Sequence, residues 1–181
     1  MRIVIVVASA GGRTARMAEA VAAGAKQAGA DVGVLRADDA GEADVLGADA
    51  LVLGSGVHMG GVEASMRVFL ERLAPAWLRG ALAGRVGAAF VSAGAGGRGG
   101  AELALISLLA SLAEHGMLLV SMPIRSEGFK DAGCHWGPVA WTNPRAGVAG
   151  PTSAHLVAAH AHGRHVAECT ARWLAGAPEG A

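Results

Sequence analysis

The chain has 181 residues, enough to fill one core and too few for two ordinary domains, so a single domain over 1–181 is expected. Fifteen basic and fifteen acidic side chains cancel, and neither half carries a block of like charge, which argues against a nucleic-acid or membrane-surface partner. The apolar region 103–122 is too broken by Glu114, His115 and Gly116 to span a membrane, no cleavable leader precedes the first strand pattern, and Cys134 and Cys169 make no disulfide framework, so a cytoplasmic protein is expected.

Residues 2–7 form an unbroken β-branched run without alternation, as in a strand buried on both faces of a parallel sheet. Ser9, Ala10, Gly11, Gly12, Arg13 and Thr14 then lead into a helix over 15–29, where Met17, Val21 and Ala25 recur at helical spacing and Gly29 suits the stop. Orphan backbone N–H groups, the positive end of the helix dipole and the hydroxyls of Ser9 and Thr14 converge in that loop, and a monoester phosphate fits it. A short second strand at 31–36 follows, then an alanine-rich crossover at 37–49 with weak helical character.

The rest is organised around 51–61, an apolar run that stops in a glycine-rich loop containing Gly56, Val57, His58, Met59, Gly60 and Gly61. The helix after it sets Val62, Met66, Phe69, Leu70 and Leu73 on one face, and Glu63, Arg67 and Glu71 alternate in sign on the other. Trp77 opens the connector 77–85 to a fourth strand at 86–91, and Ser92, Ala93, Gly94, Ala95, Gly96 and Gly97 begin a third glycine-rich loop.

The helix at 101–114 has two apolar stripes, Leu103, Ile106 and Leu109 on one, Leu105, Leu108 and Leu112 on the other. One stripe can face the sheet; the second predicts a subunit interface. His115 and Gly116 end that helix, 117–122 reads as a fifth strand stopped by Pro123, and 125–151 is a long irregular loop containing Trp136. A helix over 152–174 closes the chain. Five strand–helix alternations predict an α/β three-layer sandwich with a five-stranded parallel sheet. Ligands of such sheets sit outside the carboxyl ends of the strands, where the strand order reverses, and three loops there suit a flat cofactor.

Two patterns point away from other chemistry. The run from Gly94 to Gly99 satisfies GxGxxG, but it follows the fourth strand and lacks the acidic residue a ribose contact needs. His155, His160, His162 and His165 crowd the last helix without a cysteine or carboxylate cluster to complete a metal site, so solvated or capping roles are expected.

Taken together, these residues resemble the WrbA-type NAD(P)H:quinone oxidoreductases of the flavodoxin-like superfamily over nearly the whole chain. The likeness is carried by Ser9, Gly12 and Met17-Ala18, by 54–61 with Met66 and Phe69-Leu70, and by Trp77 with Gly80-Ala81-Leu82 and Gly84. Phe90 with 92–97, His115-Gly116-Met117, Cys134-His135-Trp136-Gly137, and Gly163 with His165-Val166-Ala167 continue it in register. Departures stand at Ala8 for the family's aromatic, at Gly56, His58 and Met59 for its Pro, Arg and Phe, at Ala93 and Ala95 for its threonines, and in a shorter segment before Trp136.

The resemblance implies strand order 2-1-3-4-5 and non-covalent FMN held by the three loops. It implies hydride uptake from NADH or NADPH and two-electron delivery to a quinone or similar small acceptor, both using one site over the flavin. It also implies a homo-oligomer, dimer or tetramer, in which a neighbouring subunit completes the site with a Trp at the position of Trp77. His115 is then the expected catalytic contact and Trp136 a second substrate or flavin neighbour. Two alternatives share the fold: a reductase supplying reduced FMN to a monooxygenase, and a flavodoxin-type electron carrier, which the neutral composition and lack of Tyr disfavour.

Overall fold

The N-terminal β-branched run is β1 (Arg2–Ala8), followed by α1 (Arg13–Gln27), β2 (Asp31–Arg36) and the short α2 (Glu42–Val45) in a computed structural model that describes residues 1–94, 98–143 and 146–176, with the backbone alone at 98–99. The chain continues through β3 (Ala50–His58), β4 (Gly61–Val62), α3 (Ala64–Arg72), α4 (Ala74–Leu78), β5 (Val86–Ala93) and α5 (Arg98–Glu114). It ends with β6 (Leu118–Leu119), α6 (Phe129–Ala132), β7 (Val139–Trp141) and α7 (Ser153–Ala175).

β1 pairs in parallel with β2 on one side and β3 on the other, and β5 extends the sheet beyond β3. Because alternate residues of a strand point to opposite faces, the buried strands β1, β3 and β5 serve two cores at once. Val4, Val6, Leu51, Leu53, Ala89 and Val91 meet Met66, Phe69 and Leu73 of α3 and Leu105, Leu108 and Leu112 of α5. Ile3, Ile5, Val52, Ala88 and Phe90 meet Met17 and Val21 of α1 and Val166 of α7. The result is the expected three-layer sandwich, with α1 and α7 crossing closely on the second face. A Cβ on Gly163 would run into the Val21 carbonyl, and one on Gly24 into the His160 carbonyl.

The sheet order β2-β1-β3-β5-β6 reproduces 2-1-3-4-5, but the fifth position is shared by two short strands. β6 pairs only with Val86 and Gly87, and the chain then leaves the sheet until β7 returns beside Val91, Ser92 and Ala93. The expected strand at 117–122 is therefore cut short. The Met122 N–H donates to the His135 carbonyl instead of to β5, and Pro123 has no N–H with which to continue a ladder. The long loop 125–151 is correspondingly less irregular than its composition implies, since it contains α6 and β7. β4, absent from the sequence reading, forms an antiparallel hairpin with the end of β3.

In α5, Ala101, Ala104, Leu105, Leu108, Leu109 and Leu112 are buried. Leu109 thus faces the sheet with Leu105, Leu108 and Leu112, which corrects its grouping with Leu103 and Ile106. Leu103 and Ile106 do point outward, 63% and 43% exposed. No helix among the described residues is long and apolar enough to cross a membrane.

Candidate cofactor site

The loops after β1, β3 and β5 meet at the carboxyl edge of the sheet, beside the point between β1 and β3 where the strand order reverses. They enclose a cavity of about 180 Å³ lined by Ser9, Ala10, Gly11, Arg13, Thr14, Gly56, Val57, His58, Glu63, Ser92, Ala93, Gly94 and Thr142. Gly12 precedes α1 at φ 74°, a left-handed conformation that glycine adopts without steric cost.

The side chains of the first loop frame it more than they face a ligand. Ser9 Oγ accepts the Ala15 N–H at 3.0 Å and so caps the start of α1. Thr14 is buried, and its hydroxyl shares a 2.8 Å hydrogen bond with Ser92 Oγ, which ties the first loop to the third. Arg13 Nε donates to the Ala149 carbonyl at 2.9 Å, and Thr142 Oγ1 to the Ala93 carbonyl at 3.1 Å. What remains for an anion is backbone: the amides of Gly11, Gly12, Arg13 and Thr14 have no protein acceptor among the described residues. These orphan donors at the positive end of a 15-residue helix suit a phosphate monoester.

The second loop is a hairpin with a two-residue turn. Met59 and Gly60 take φ 48° and 83°, the paired positive values of a type I′ turn, and Met59 is fully exposed at its tip. The turn leans on α5, where a Cβ on Gly100 would come within 3.1 Å of Gly60 Cα. Met59, Gly60 and Gly61 thus stand beside the cavity and do not line it, whereas Gly56, Val57 and His58 do. Ala95, Gly96 and Gly97 lie outside the described residues.

Glu63 enters this site without having been expected there. Its Oε2 accepts the Ala10 N–H at 3.1 Å and lies 3.4 Å from His58 Nε2. Helical periodicity assigns Glu63 to a solvent face, but it is the residue just ahead of α3, with extended backbone, and the helical wheel does not govern it. Its position one residue after the β3–β4 hairpin is the signal that places it at the pocket.

Trp77 and His115 lie elsewhere. Both precede strands, Trp77 before β5 and His115 before β6, and in a parallel sheet that puts them at the amino edge. They share a hollow of about 260 Å³ with Arg67, Leu70, Glu71, Ala74, Ser111 and Glu114. The eight residues of β5 separate the two edges by about 23 Å at the usual strand rise. The expected contact between the His115 imidazole and the cofactor is therefore not made within one chain. Burial holds the His115 pKa below its ordinary value, partly opposed by the Glu114 carboxylate. Trp136 is 47% exposed and lines neither hollow. On α7, His155 caps the helix reciprocally with Thr152, but His162 is completely buried, contrary to the solvated or capping role expected of it. Among the described residues no three His, Cys, Asp or Glu side chains are grouped to hold a metal.

A doubly wound parallel sheet with ligand loops at its carboxyl edge defines a flavodoxin-like α/β protein. A WrbA-like flavodoxin from Agrobacterium tumefaciens has the same fold, with a TM-score of 0.74 and 24% identity over 94% of this chain and 98% of its own. A flavodoxin from the domain Archaea gives 0.70, also at 24% identity, over 94% and 99%. In sequence, residues 40–128 match the family described as NADPH-dependent FMN reductase. Proteins named NAD(P)H dehydrogenase (quinone) from Methylocella silvestris and Sinorhizobium fredii are 32% and 30% identical, over 92% and 94% of this chain and 96% and 98% of theirs. The chain belongs to the NAD(P)H dehydrogenase (quinone) family.

Proposed function

We propose that the protein is an FMN-dependent NAD(P)H:quinone oxidoreductase that works in the cytoplasm as a homo-oligomer. The observation that carries this reading is the convergence of three strand-ending loops on one cavity with free helix-terminal amides at one end. The amides of Gly11, Gly12, Arg13 and Thr14, with that of Ala10 beside them, would hold the phosphate of FMN, and the backbone at 56–58 and 93–94 would border its ring. FMN supplies a ring that accepts a hydride and passes electrons on, so the protein has to bind, orient and shield. The buried Thr14–Ser92 hydrogen bond fixes the phosphate loop against the third loop, and with it the distance between phosphate and ring subsites. Val57 and His58 of the hairpin border the cavity, and NADH or NADPH and then the quinone would meet the ring there in turn.

Homo-oligomerisation is supported by the outer surface of α3, α4 and α5, where Val68, Trp77, Leu78, Leu103 and Ile106 are exposed. Since Trp77 and His115 cannot reach their own pocket, a neighbouring subunit's pocket is the one they would complete. The unpaired Cys134 and Cys169 fit a reducing compartment.

The test is an absorbance spectrum of the FMN-reconstituted protein, taken anaerobically with NADH or NADPH and then benzoquinone. Bleaching by the nucleotide and return of the oxidised band with quinone, the flavin staying bound through a desalting column, is the expected result. A bound flavin that neither nucleotide bleaches would indicate a carrier, and loss of reduced flavin on the column a flavin-supplying reductase. Failure to bind flavin would refute the site.

A further inference from the structure

The loop that suits a phosphate already holds an anion of the protein's own. Glu63 Oε2 accepts the Ala10 N–H at 3.1 Å and stands 3.4 Å from His58 Nε2, while Oε1 accepts the Ser65 hydroxyl at 3.2 Å. Backbone geometry places the carboxylate there. The Glu63 N–H donates to Ser55 Oγ, which is completely buried, at 2.9 Å, and this fixes the residue where the hairpin closes. Gly56 leaves the room: a Cβ at that position would come within 3.1 Å of His58 Nε2 and 3.2 Å of Glu63 Oε2. The Glu63 side chain is 15% exposed, so this is a seated carboxylate and not a surface charge sweeping past.

We infer that Glu63 is a built-in competitor for the cofactor's phosphate, holding the Ala10 amide while the pocket is free and yielding it when a phosphate monoester seats. This rests on the FMN reading above. One N–H cannot serve a carboxylate and a phosphate oxygen together at full strength, and two anions in one amide cradle repel. Arg13 is the one arginine or lysine among the described lining residues, and His58 the one imidazole. Arg13 commits its Nε to the Ala149 carbonyl, and His58 is turned toward Glu63, so neither is free to offset the repulsion in full. A flavin without a phosphate does not enter the contest. Glu63 therefore sets how strongly the pocket prefers FMN to riboflavin, and it keeps FMN affinity below what the amides alone would give.

The experiment is a fluorescence-quenching titration of FMN and of riboflavin against the wild-type protein, Glu63→Gln and Glu63→Ala. Glutamine keeps the shape of the side chain without its charge and can still accept the Ser65 hydroxyl at the start of α3. FMN is expected to bind about 10- to 100-fold more tightly to both variants, the scale of one charge-assisted hydrogen bond, with riboflavin unchanged within about twofold. FMN affinity that stays level or falls in Glu63→Gln, or flavins that shift together, would overturn the inference and make Glu63 a tether between the two loops. Inorganic phosphate, titrated while the Ala10 amide is followed by NMR, separates this question from the FMN reading. If no protein binds either flavin, a tighter phosphate midpoint in Glu63→Gln still upholds the competition, and equal midpoints overturn it.

Discussion

His162 sits in the middle of α7 with no solvent exposure, and neither ring nitrogen has a hydrogen-bond partner. Burial pushes its pKa from 6.5 down to about 3; repulsion from His165 adds to this, and the Ala89 carbonyl, short of hydrogen-bonding geometry, opposes it weakly. Above pH 6.5 neither the folded nor the unfolded chain protonates this ring. Between pH 6.5 and about 3 the unfolded chain takes up a proton that the folded one refuses, so stability falls by about 1.4 kcal/mol per pH unit. At pH 5 the accumulated loss is about 2 kcal/mol, a large share of an ordinary domain's stability. His162→Leu should abolish this component. Urea unfolding followed by circular dichroism at pH 7.5 and 5.0 reads it directly, since His115, His155 and His165, all with lowered pKa values, remain in both proteins and cancel in the comparison. The wild type should lose about 2 kcal/mol more than the variant between the two pH values. At pH 7.5 the variant should be at least as stable, because two unsatisfied buried nitrogens disappear with the ring. Equal pH dependence in the two proteins would refute the reasoning and mean that the ring is hydrated or partnered in solution.

Met59 holds a positive φ that glycine or asparagine adopts more readily, so Met59→Gly should raise stability by about 1 kcal/mol, measured as the change in urea midpoint at unchanged slope. Gly163→Ala should destabilise by about 3 kcal/mol in the same assay, because the new methyl meets the Val21 carbonyl and must separate α1 from α7. Trp77 and His115 are expected to act in trans. A protein carrying His115→Ala and a second carrying Gly12→Glu in the phosphate loop should each be impaired in quinone reduction, and a co-assembled mixture should recover activity; mixed oligomers that stay as slow as either parent would exclude the shared site.

The sheet and its ligand edge are legible in the sequence because they rest on local signals. The β-branched run at 2–7, the glycines that end it and the helical spacing of Met17, Val21 and Ala25 each announce one element, and parallel topology carries those elements to one edge. What was illegible depended on partners distant in sequence. Nothing within 117–122 shows that Met122 bonds to His135 and not to β5, or that 139–141 takes over the vacated strand position. Leu109 has the spacing of either stripe of α5, and only its packing in the core with Leu105, Leu108 and Leu112 shows which. Ser9 and Thr14 are the right residue types for an anion, yet their hydroxyls serve Ala15 and Ser92 because a polar group in a tightly packed loop takes a protein partner when one is in reach.

The placement of His115 differs in kind, since it follows from topology alone. Every strand of a parallel sheet enters at one edge and leaves at the other, so residues that follow β1, β3 and β5 and residues that precede β5 and β6 are held apart by the length of the sheet. No side-chain rotamer spans that distance. Trp77, which lines the hollow it shares with His115, and its neighbour Leu78 are exposed apolar side chains. The proposal that another copy's pocket is where Trp77 and His115 act therefore makes self-association a condition of turnover, and a monomer that reduces quinone at the full rate would refute it.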